Sequence, residues 1–213
     1  MGDDLGDMED KGENLRATNN NQQLTIDKWQ MTNDQLELKS ITADDLSAVV
    51  ELDQACFGGL WTLDAYQREI DSPNSVLLGL FAPLSTVNLL AMGCFWSILE
   101  EAHITILAVH PRYQGQGLGQ AILYFLLKAA YELGLERATL EVRVSNKAAI
   151  SLYQKFGFKT AGQRRRYYKD NDEDALILWL GNIQYPEFPD SLEKLRIKMS
   201  DRLNLYNWSI VDC

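Results

Sequence analysis

The chain has 213 residues, of which 46% are hydrophobic, and its formal net charge is -10 at pH 7. This length is enough for one domain with a full core and too short for two domains of ordinary size. The acidic balance argues against a nucleic-acid-binding surface, which needs clustered Lys and Arg, and favours cationic partners such as a basic peptide. An acidic net charge is also typical of proteins in which the charge serves only to keep the protein in solution.

The sequence contains no stretch that approaches 18 uninterrupted apolar residues, and its first residues are polar and acidic. We therefore expect a cytoplasmic protein with neither a membrane-spanning helix nor a signal peptide. The three cysteines, Cys56, Cys94 and Cys213, lie far apart and share no metal-ligand spacing. We expect reduced thiols and no metal site.

The composition divides the chain into three parts. Residues 1–35 are acidic and poor in apolar side chains, so we expect a disordered tail. Residues 36–181 contain the periodic apolar segments of a folded domain. Residues 182–213 form an extension in which four apolar residues at helical spacing predict a helix, capped by Asp190 and Ser191, that packs on the domain. These four are Leu192, Leu195, Met199 and Leu203.

Apolar periodicity predicts the remaining elements in chain order. The first half predicts a strand over 36–41, a helix over 46–52, a helix capped by Thr62, a hairpin formed by Val76–Ala82 and Leu89–Ile98, and a strand over Ile104–Val109. The second half predicts a helix over Leu118–Leu133, a strand over 138–144, a helix over 146–156, and strands over Phe158–Gly162 and Asp174–Leu180 joined by a polar segment. This order of elements predicts a mixed sheet covered by helices.

A glycine-rich loop follows the strand that ends at Val109 and opens the helix that begins at Leu118. Its glycines leave successive main-chain N–H groups unshielded, and the helix adds its first-turn donors and the positive end of its dipole. The loop is therefore expected to bind a di- or triphosphate. Its expected phosphate-binding residues are Gln114, Gly115, Gln116, Gly117, Leu118, Gly119 and Gln120. The spacing is Gln-x-x-Gly-x-Gly and not the dinucleotide pattern G-x-G-x-x-G, which disfavours a nicotinamide cofactor.

The loop is similar to the one with which GCN5-related N-acetyltransferases hold the pyrophosphate of acetyl-coenzyme A. A second block, LEVRVSNKAAISLYQKFGF over Leu140–Phe158, resembles the signature of the ribosomal-protein-alanine N-acetyltransferase branch of that family. The resemblance covers roughly Leu36 to Leu180. It implies an α/β fold with a mixed, mostly antiparallel seven-stranded sheet flanked by about four helices. It also implies acetyl-coenzyme A as co-substrate and no metal.

The resemblance assigns roles to two side chains of the second block. Glu141 matches the general base of the branch, and an N-terminal amine with a pKa of about 7.7–8.0 needs such a base. Tyr153 matches the general acid that protonates the departing sulfur. Strand alternation alone places Glu141 on an ordinary solvated face, and helix spacing alone makes Tyr153 a half-buried aromatic residue.

The resemblance also assigns coenzyme contacts outside the loop. The main-chain groups of Leu107, Ala108 and Val109 would hold the pantetheine arm, where the strand splays from its neighbour and one N–H polarises the thioester carbonyl. Asn146 would contact the coenzyme, although a helix N-cap explains this residue equally well. A plain core strand likewise fits the side chains of residues 107–109.

Three aromatic residues match positions near the substrate groove of the branch: Trp61, Tyr167 and Tyr168. The alternatives are a hydrophobic staple for Trp61 and an exposed hairpin for the tyrosines. His103 and His110 receive no role from the pattern, and His110 stands where the branch has an acidic residue.

Taken together, the residues predict a monomeric N-α-acetyltransferase whose substrate is the N-terminal peptide of a protein. The favoured substrate is a small-subunit ribosomal protein that begins with alanine. The amine would attack the thioester directly. Two alternatives stay open: acetylation of a small amine such as a polyamine or an aminoglycoside, and a non-catalytic sensor of acyl-coenzyme A. We expect no direct contact with nucleic acid or membrane.

Overall fold

The structure, a computed structural model, describes residues 34–83 and 85–212. The predicted tail lies almost entirely outside these residues. Eight strands are described: β1 (Asp34–Ser40), β2 (Ser75–Phe81), β3 (Leu89–Ile98), β4 (Glu101–Val109), β5 (Arg137–Arg143), β6 (Lys159–Tyr168), β7 (Glu173–Leu180) and β8 (Trp208–Asp212). Five α-helices are described: α1 (Leu46–Phe57), α2 (Leu63–Asp71), α3 (Leu118–Glu132), α4 (Lys147–Lys155) and α5 (Phe188–Asn204).

All eight strands form one sheet in the order β6-β7-β5-β4-β3-β2-β1-β8. The pairs β4–β5 and β1–β8 are parallel and the other five are antiparallel, which confirms the predicted mixed, mostly antiparallel α/β fold. The predicted count of seven strands is wrong by one. The additional strand, β8, has only five residues, and it gains its hydrogen bonds from β1 at the far end of the sequence, so no local pattern indicates it.

The sheet lies between two layers of helices with separate cores. One core contains the buried side chains of α3, α4 and α5, and the other contains those of α1 and α2. Helix α3 is the central support of the first layer. Its nine buried residues leave it apolar over most of its surface, as expected for a helix covered by both the sheet and α5.

Several element boundaries differ from the sequence prediction. α1 continues to Phe57, five residues past its predicted end, and β4 begins at Glu101, three residues before its predicted start. β1 begins at Asp34, two residues before the first apolar position. β6 continues to Tyr168 through a segment predicted as a polar connection, because it is an edge strand exposed on most of its surface and its pairing with β7 is interrupted by irregularities. α5 begins at Phe188 after Glu187, with a proline in its first turn, and not at the predicted cap.

The feature that positions the site is the divergence of the parallel strands β4 and β5. They pair only over Glu101–Ile104 and Arg137–Leu140. The last five residues of β4 have no partner in β5. Four of them, residues 106–109, keep their pairing with β3, and Thr105 is displaced by a register shift between Cys94 and Phe95 of β3. The sheet is therefore open between the two strands, beginning at Glu141.

No helix among the described residues is both long enough and apolar enough to cross a membrane.

Candidate active site

Glu141 is the first residue of β5 beyond the paired segment, so its side chain lies at the point where the strands separate. Its side chain is only 10% exposed and contacts two basic side chains. Oε1 lies 3.0 Å from Nε of Arg164 on β6, and Oε2 lies 3.4 Å from Nε2 of His103 on β4. The carboxylate is thus fixed in orientation by one side chain from the neighbouring strand β4 and one from β6, which lies beyond β7.

The other ring nitrogen of His103 continues a chain of polar contacts. Its Nδ1 lies 3.0 Å from the hydroxyl oxygen of Thr139, and that hydroxyl donates a hydrogen bond of 2.6 Å to Glu101. A hydroxyl has one hydrogen to donate, so Thr139 accepts from Nδ1–H of the imidazole. When the ring is neutral, the lone pair on Nε2 therefore points toward Glu141, and this nitrogen is the one that can take up a proton.

Two tryptophans extend the site from His103 toward α1 and α2. The Trp96 ring lies 6.1 Å from the His103 ring, and the rings of Trp61 and Trp96 stack at 6.4 Å with an interplanar angle of 11°. Asp53 fixes the main chain at Trp61. This residue is 1% exposed, and its carboxylate accepts hydrogen bonds from the main-chain N–H groups of Leu60 and Trp61 at 2.9 and 2.8 Å. These contacts place an aromatic wall beside the Glu141 carboxylate.

Tyr153 approaches the site from α4, on the opposite face of the sheet from α1 and α2. Only 7% of the residue is exposed, and its ring packs edge-on against Phe158 at 5.7 Å. Burial raises the pKa of the Tyr153 phenol, and the nearby Tyr168 raises it further. A phenol in this environment stays protonated at neutral pH, as a proton donor must.

Tyr168 connects the regions of Glu141 and Tyr153. The Arg143 guanidinium lies 3.8 Å from the centre of its ring, and Tyr167 packs against it edge-on at 5.2 Å. Burial raises the pKa of Tyr168, the Arg143 charge opposes this shift, and the negative charge of Glu141 adds to it. Tyr167 itself is more exposed and lies near Arg164. Both tyrosines belong to a strand and not to a hairpin loop, and Tyr168 lies close enough to Glu141 for the carboxylate charge to act on its pKa.

The glycine-rich loop presents a row of main-chain N–H groups. Gly115 and Gly117 have φ values of +77° and +104°, which side chains rarely adopt. Within the described part of the chain, the main-chain N–H groups of residues 115–119 donate no hydrogen bond, whereas those of Gln120 and Ala121 donate to the carbonyl of Gly117. The unpaired donors and the N-terminus of α3 suit the pyrophosphate of coenzyme A.

The polar side chains of the loop mostly bond to the loop itself. Gln114 donates to the carbonyl of Val109 at 3.1 Å, and Cys56 donates to the same carbonyl at 3.3 Å. Gln116 donates to the carbonyl of Arg112 at 3.4 Å. These contacts fix the main chain and engage both glutamine side chains, so the donors that the loop leaves available are main-chain N–H groups.

Two sets of predicted coenzyme contacts lie outside the glycine-rich loop. The main chain of Leu107, Ala108 and Val109 pairs with β3 but not with β5, and it borders the gap between β4 and β5. The side chains of Leu107 and Val109 face Gly119 at the start of α3. Asn146 caps α4, since its side chain accepts the N–H of Ala149 at 3.1 Å.

Sequence inspection missed four residues of this site: His103, Arg164, Asp53 and Trp96. His103 and Glu141 are 38 positions apart and meet only because β4 and β5 are neighbours in parallel register. One feature of the sequence could have indicated His103. This residue stands two positions after Glu101, so the two side chains lie on the same face of β4, where strand alternation predicts polar groups. The sequence carries no such indication for Asp53, because a buried acidic residue within α1 cannot be distinguished from an exposed one until its N–H partners are known.

The match to a family model decides the classification. Residues 46–158 match the model described as the acetyltransferase (GNAT) family. The chain belongs to this family. GNAT acetyltransferases use acetyl-coenzyme A as co-substrate, and the chain is an acetyl-coenzyme A-dependent N-acetyltransferase.

Individual relatives narrow the comparison within the GNAT family. The ribosomal protein bS18-alanine N-acetyltransferase of Escherichia coli K12 is 34% identical over 145 residues, which cover 67% of this chain and 95% of that protein. The N-alpha-acetyltransferase RimI of Mycobacterium tuberculosis is 32% identical and covers 65% of this chain and 88% of its own. A crystal structure of the Escherichia coli ribosomal-protein-S18-alanine N-acetyltransferase superimposes with a TM-score of 0.62 at 32% identity, covering 69% of this chain and 94% of that one. The predicted family resemblance is confirmed.

Proposed function

We propose that this GNAT protein is an N-α-acetyltransferase that modifies the N-terminal alanine of a small-subunit ribosomal protein. The observation that carries the proposal is the position of Glu141 at the point where β4 and β5 separate, fixed between His103 and Arg164. The substrate class follows from the relatives named as bS18-alanine N-acetyltransferases.

The two substrates would reach the gap between β4 and β5 from opposite faces of the sheet. Acetyl-coenzyme A would lie on the α3 side, its pyrophosphate on the N–H groups of residues 115–119 and its pantetheine arm along the main chain of residues 107–109. The peptide amine would enter from the side of α1 and α2, between the tryptophan wall and Tyr167. A gap that is open to both faces allows direct transfer of the acetyl group.

Glu141 and His103 would act as the proton acceptor for the amine. An N-terminal α-amine has a pKa of about 7.7–8.0, so much of it is protonated at pH 7 and cannot attack a carbonyl carbon. The carboxylate accepts this proton directly or through one water molecule, and the neutral imidazole, with its lone pair toward Glu141, shares the resulting charge. Arg164 keeps the carboxylate oriented between transfers.

Tyr153 would supply the proton that the coenzyme sulfur takes up as the thioester bond breaks. Its raised pKa keeps the phenol protonated until that moment, and burial among the residues of α4 fixes its position. In the balanced reaction, the amine nitrogen gains the acetyl group and the carbon–sulfur bond breaks. The protonated amine loses two protons, one to Glu141 before attack and one as the amide forms. One of them balances the proton that Tyr153 gives to the sulfur and then recovers, and the other is released to solvent.

Mass spectrometry of peptides after incubation with acetyl-coenzyme A tests the proposal. The panel contains a peptide that begins with alanine, the same peptide with a blocked amine, a lysine-containing peptide with a blocked amine, and spermidine. We expect acetylation at the α-amine of the first peptide alone. Acetylation of spermidine in preference to the peptide would support the small-amine alternative, and coenzyme binding without any transfer would support the sensor.

A further inference from the structure

The C-terminal part of the chain, α5 and β8, lies outside the region matched by the family model, which ends at residue 158. The Escherichia coli relative is matched over 95% of its length by only 67% of this chain, so about a third of this chain has no counterpart there. A packing role on the surface of α3 explains the buried side chains of α5. It does not explain two hydrogen bonds that α5 and β8 make with the glycine-rich loop.

Both bonds are donated by the extension to adjacent loop residues. Nη2 of Arg202, near the end of α5, lies 2.6 Å from the carbonyl oxygen of Gly115. The indole Nε1 of Trp208, the first residue of β8, donates to the side-chain oxygen of Gln116 at 2.8 Å. Trp208 is buried, so this bond is shielded from water.

Close packing joins the same two surfaces. A Cβ atom built on Gly117 would lie 3.0 Å from Cγ of Arg202 and 3.3 Å from Cδ2 of Leu203. The Trp208 ring contacts Tyr113 at 6.1 Å in an edge-on arrangement, and the Tyr113 hydroxyl is hydrogen-bonded to Ser85. The main chain of the loop therefore rests directly on the extension.

The chemistry of the loop gives these contacts a function beyond packing. Two glycines with positive φ make the loop flexible when it is unsupported, whereas anion binding needs N–H groups in fixed directions. The guanidinium bonds to the carbonyl of the Gly115–Gln116 peptide group, and so strengthens the N–H of that same group as a donor. Residues 113–120 contain no Lys or Arg, so Arg202 brings a positive charge next to Gly115 in addition to that of Arg112 earlier in the loop.

We propose that the C-terminal extension is part of the coenzyme site, with Arg202 and Trp208 as positioning residues that hold the glycine-rich loop in its pyrophosphate-binding conformation. This inference rests on the proposed role of the loop as the coenzyme site. It predicts that changes in the extension, far in sequence from the GNAT signature, alter the affinity for acetyl-coenzyme A and leave the peptide site unaffected.

Steady-state kinetics with two acetyl donors tests the inference. Acetyl-coenzyme A carries the pyrophosphate, and S-acetylpantetheine does not. In Arg202→Gln we expect the KM for acetyl-coenzyme A to rise about ten-fold, which corresponds to the loss of one charge-assisted hydrogen bond. We expect kcat/KM for S-acetylpantetheine and the KM for the peptide to stay within about two-fold of the parent, because both are bound away from the loop. Arg202→Lys should recover part of the affinity.

Two further variants make the experiment specific. Trp208→Phe keeps most of the buried ring but removes the indole N–H, and should also raise the KM for acetyl-coenzyme A. Arg196→Gln is the matched control, since Arg196 lies on the same helix and bonds to Glu193. Equal losses with both donors would overturn the inference, because they would show a general structural effect. So would an unchanged KM for acetyl-coenzyme A in both Arg202→Gln and Trp208→Phe.

Calorimetry with coenzyme A separates this inference from the function on which it rests. Parent protein that binds coenzyme A, together with Arg202 variants that bind it equally well, would overturn the inference alone. Parent protein that binds no coenzyme A would overturn the proposed coenzyme site of the loop and the inference with it. The result that supports both is binding by the parent and by Arg196→Gln, with weaker binding by Arg202→Gln.

Discussion

Nε2 of His103 and Oε2 of Glu141 lie 3.4 Å apart, although the two residues belong to strands that separate immediately beyond them. The pair therefore sits where the sheet is still rigid and the gap already begins. A base in this position combines a fixed direction with access to both faces of the sheet, which a residue further along β5 would not have.

Glu141→Gln preserves the size of the side chain and removes its ability to accept a proton at neutral pH. We expect kcat to fall by about 10²–10⁴, the usual contribution of a general base. Coenzyme binding should persist, because Glu141 is not part of the phosphate cradle. The defect should diminish above about pH 8, where the amine is already deprotonated. Rates measured from pH 6 to 9 check this, and a defect that stays constant over this range would falsify the assigned role.

His103→Gln tests whether the imidazole shares the proton with Glu141. We expect a fall in kcat of about ten-fold, comparable to the loss of one hydrogen bond to a charged group. Thr139→Val removes the hydroxyl that accepts from Nδ1–H, so it should change the pH dependence of kcat more than its value near the optimum. Melting temperatures serve as the control for folding. Parent-like pH profiles in both variants would limit His103 to a structural role.

Tyr153→Phe removes a single hydroxyl from a buried ring. We expect kcat to fall by about 10², at the low end for acid catalysis because a thiolate is already a fair leaving group. Since burial raises the pKa of Tyr153 above the ordinary value of about 10, the parent should show no loss of kcat from ionisation of this phenol up to pH 10. A decline centred below pH 10 that disappears in Tyr153→Phe would contradict the raised pKa.

Gly117 and Gly119 provide a matched pair for the loop. The φ of Gly117 is +104° and an added Cβ would press on Arg202, so Gly117→Ala should lower the free energy of unfolding by about 1–3 kcal/mol and weaken coenzyme binding. At Gly119 an added Cβ meets only ordinary contacts, the nearest at 3.4 Å. Gly119→Ala should therefore be neutral or slightly stabilising, because alanine favours a helix. Urea denaturation of the two variants measures the difference.

Glu173 supports the start of α4 and has a pH-dependent contribution to stability. Hydrogen bonds from Ser145 and the neighbouring Arg143 lower the pKa of this carboxyl to about 2. A carboxyl whose pKa is depressed by folding stabilises the fold at pH values above its ordinary pKa of about 4.3, and this contribution is lost as the pH falls toward 2.

Glu173→Gln should therefore lower the melting temperature at pH 7, with a difference that narrows between pH 4.5 and pH 2. Glu51→Gln on the exposed surface of α1 is the charge-matched control. A difference for Glu173→Gln that is independent of pH would show that the carboxylate charge does not contribute.

The parts of the fold that could be predicted from the sequence are those governed by local patterns. β3 was predicted with its observed limits, Leu89–Ile98, because its apolar run is long and lies between Asn88 and the acidic pair Glu100 and Glu101. The glycine-rich loop and the first residue of α3 were predicted for the same reason, since proline, glycine and helical periodicity all act within a few residues.

The parts that could not be predicted depend on contacts between distant segments. β6 carries arginines and tyrosines on an edge strand, where polar residues are tolerated on both faces, so its sequence resembles a connection. The pairing of Glu141 with both His103 and Arg164 requires the strand order β7-β5-β4 and the edge position of β6, which no single segment encodes. Arg202 was a surface cation in the sequence, and only the docking of α5 brings it to Gly115.

The parallel pairing of β8 with β1 also has a consequence for biosynthesis. β1 is the first of the described strands to leave the ribosome, and its partner on the outer side is the last. Until Trp208–Asp212 have been made, the outer edge of β1 presents unpaired main-chain groups that can recruit a strand from another chain. Nascent chains that stall before Trp208 should therefore be prone to aggregation, and a chaperone that covers this edge would be needed longest near the end of synthesis.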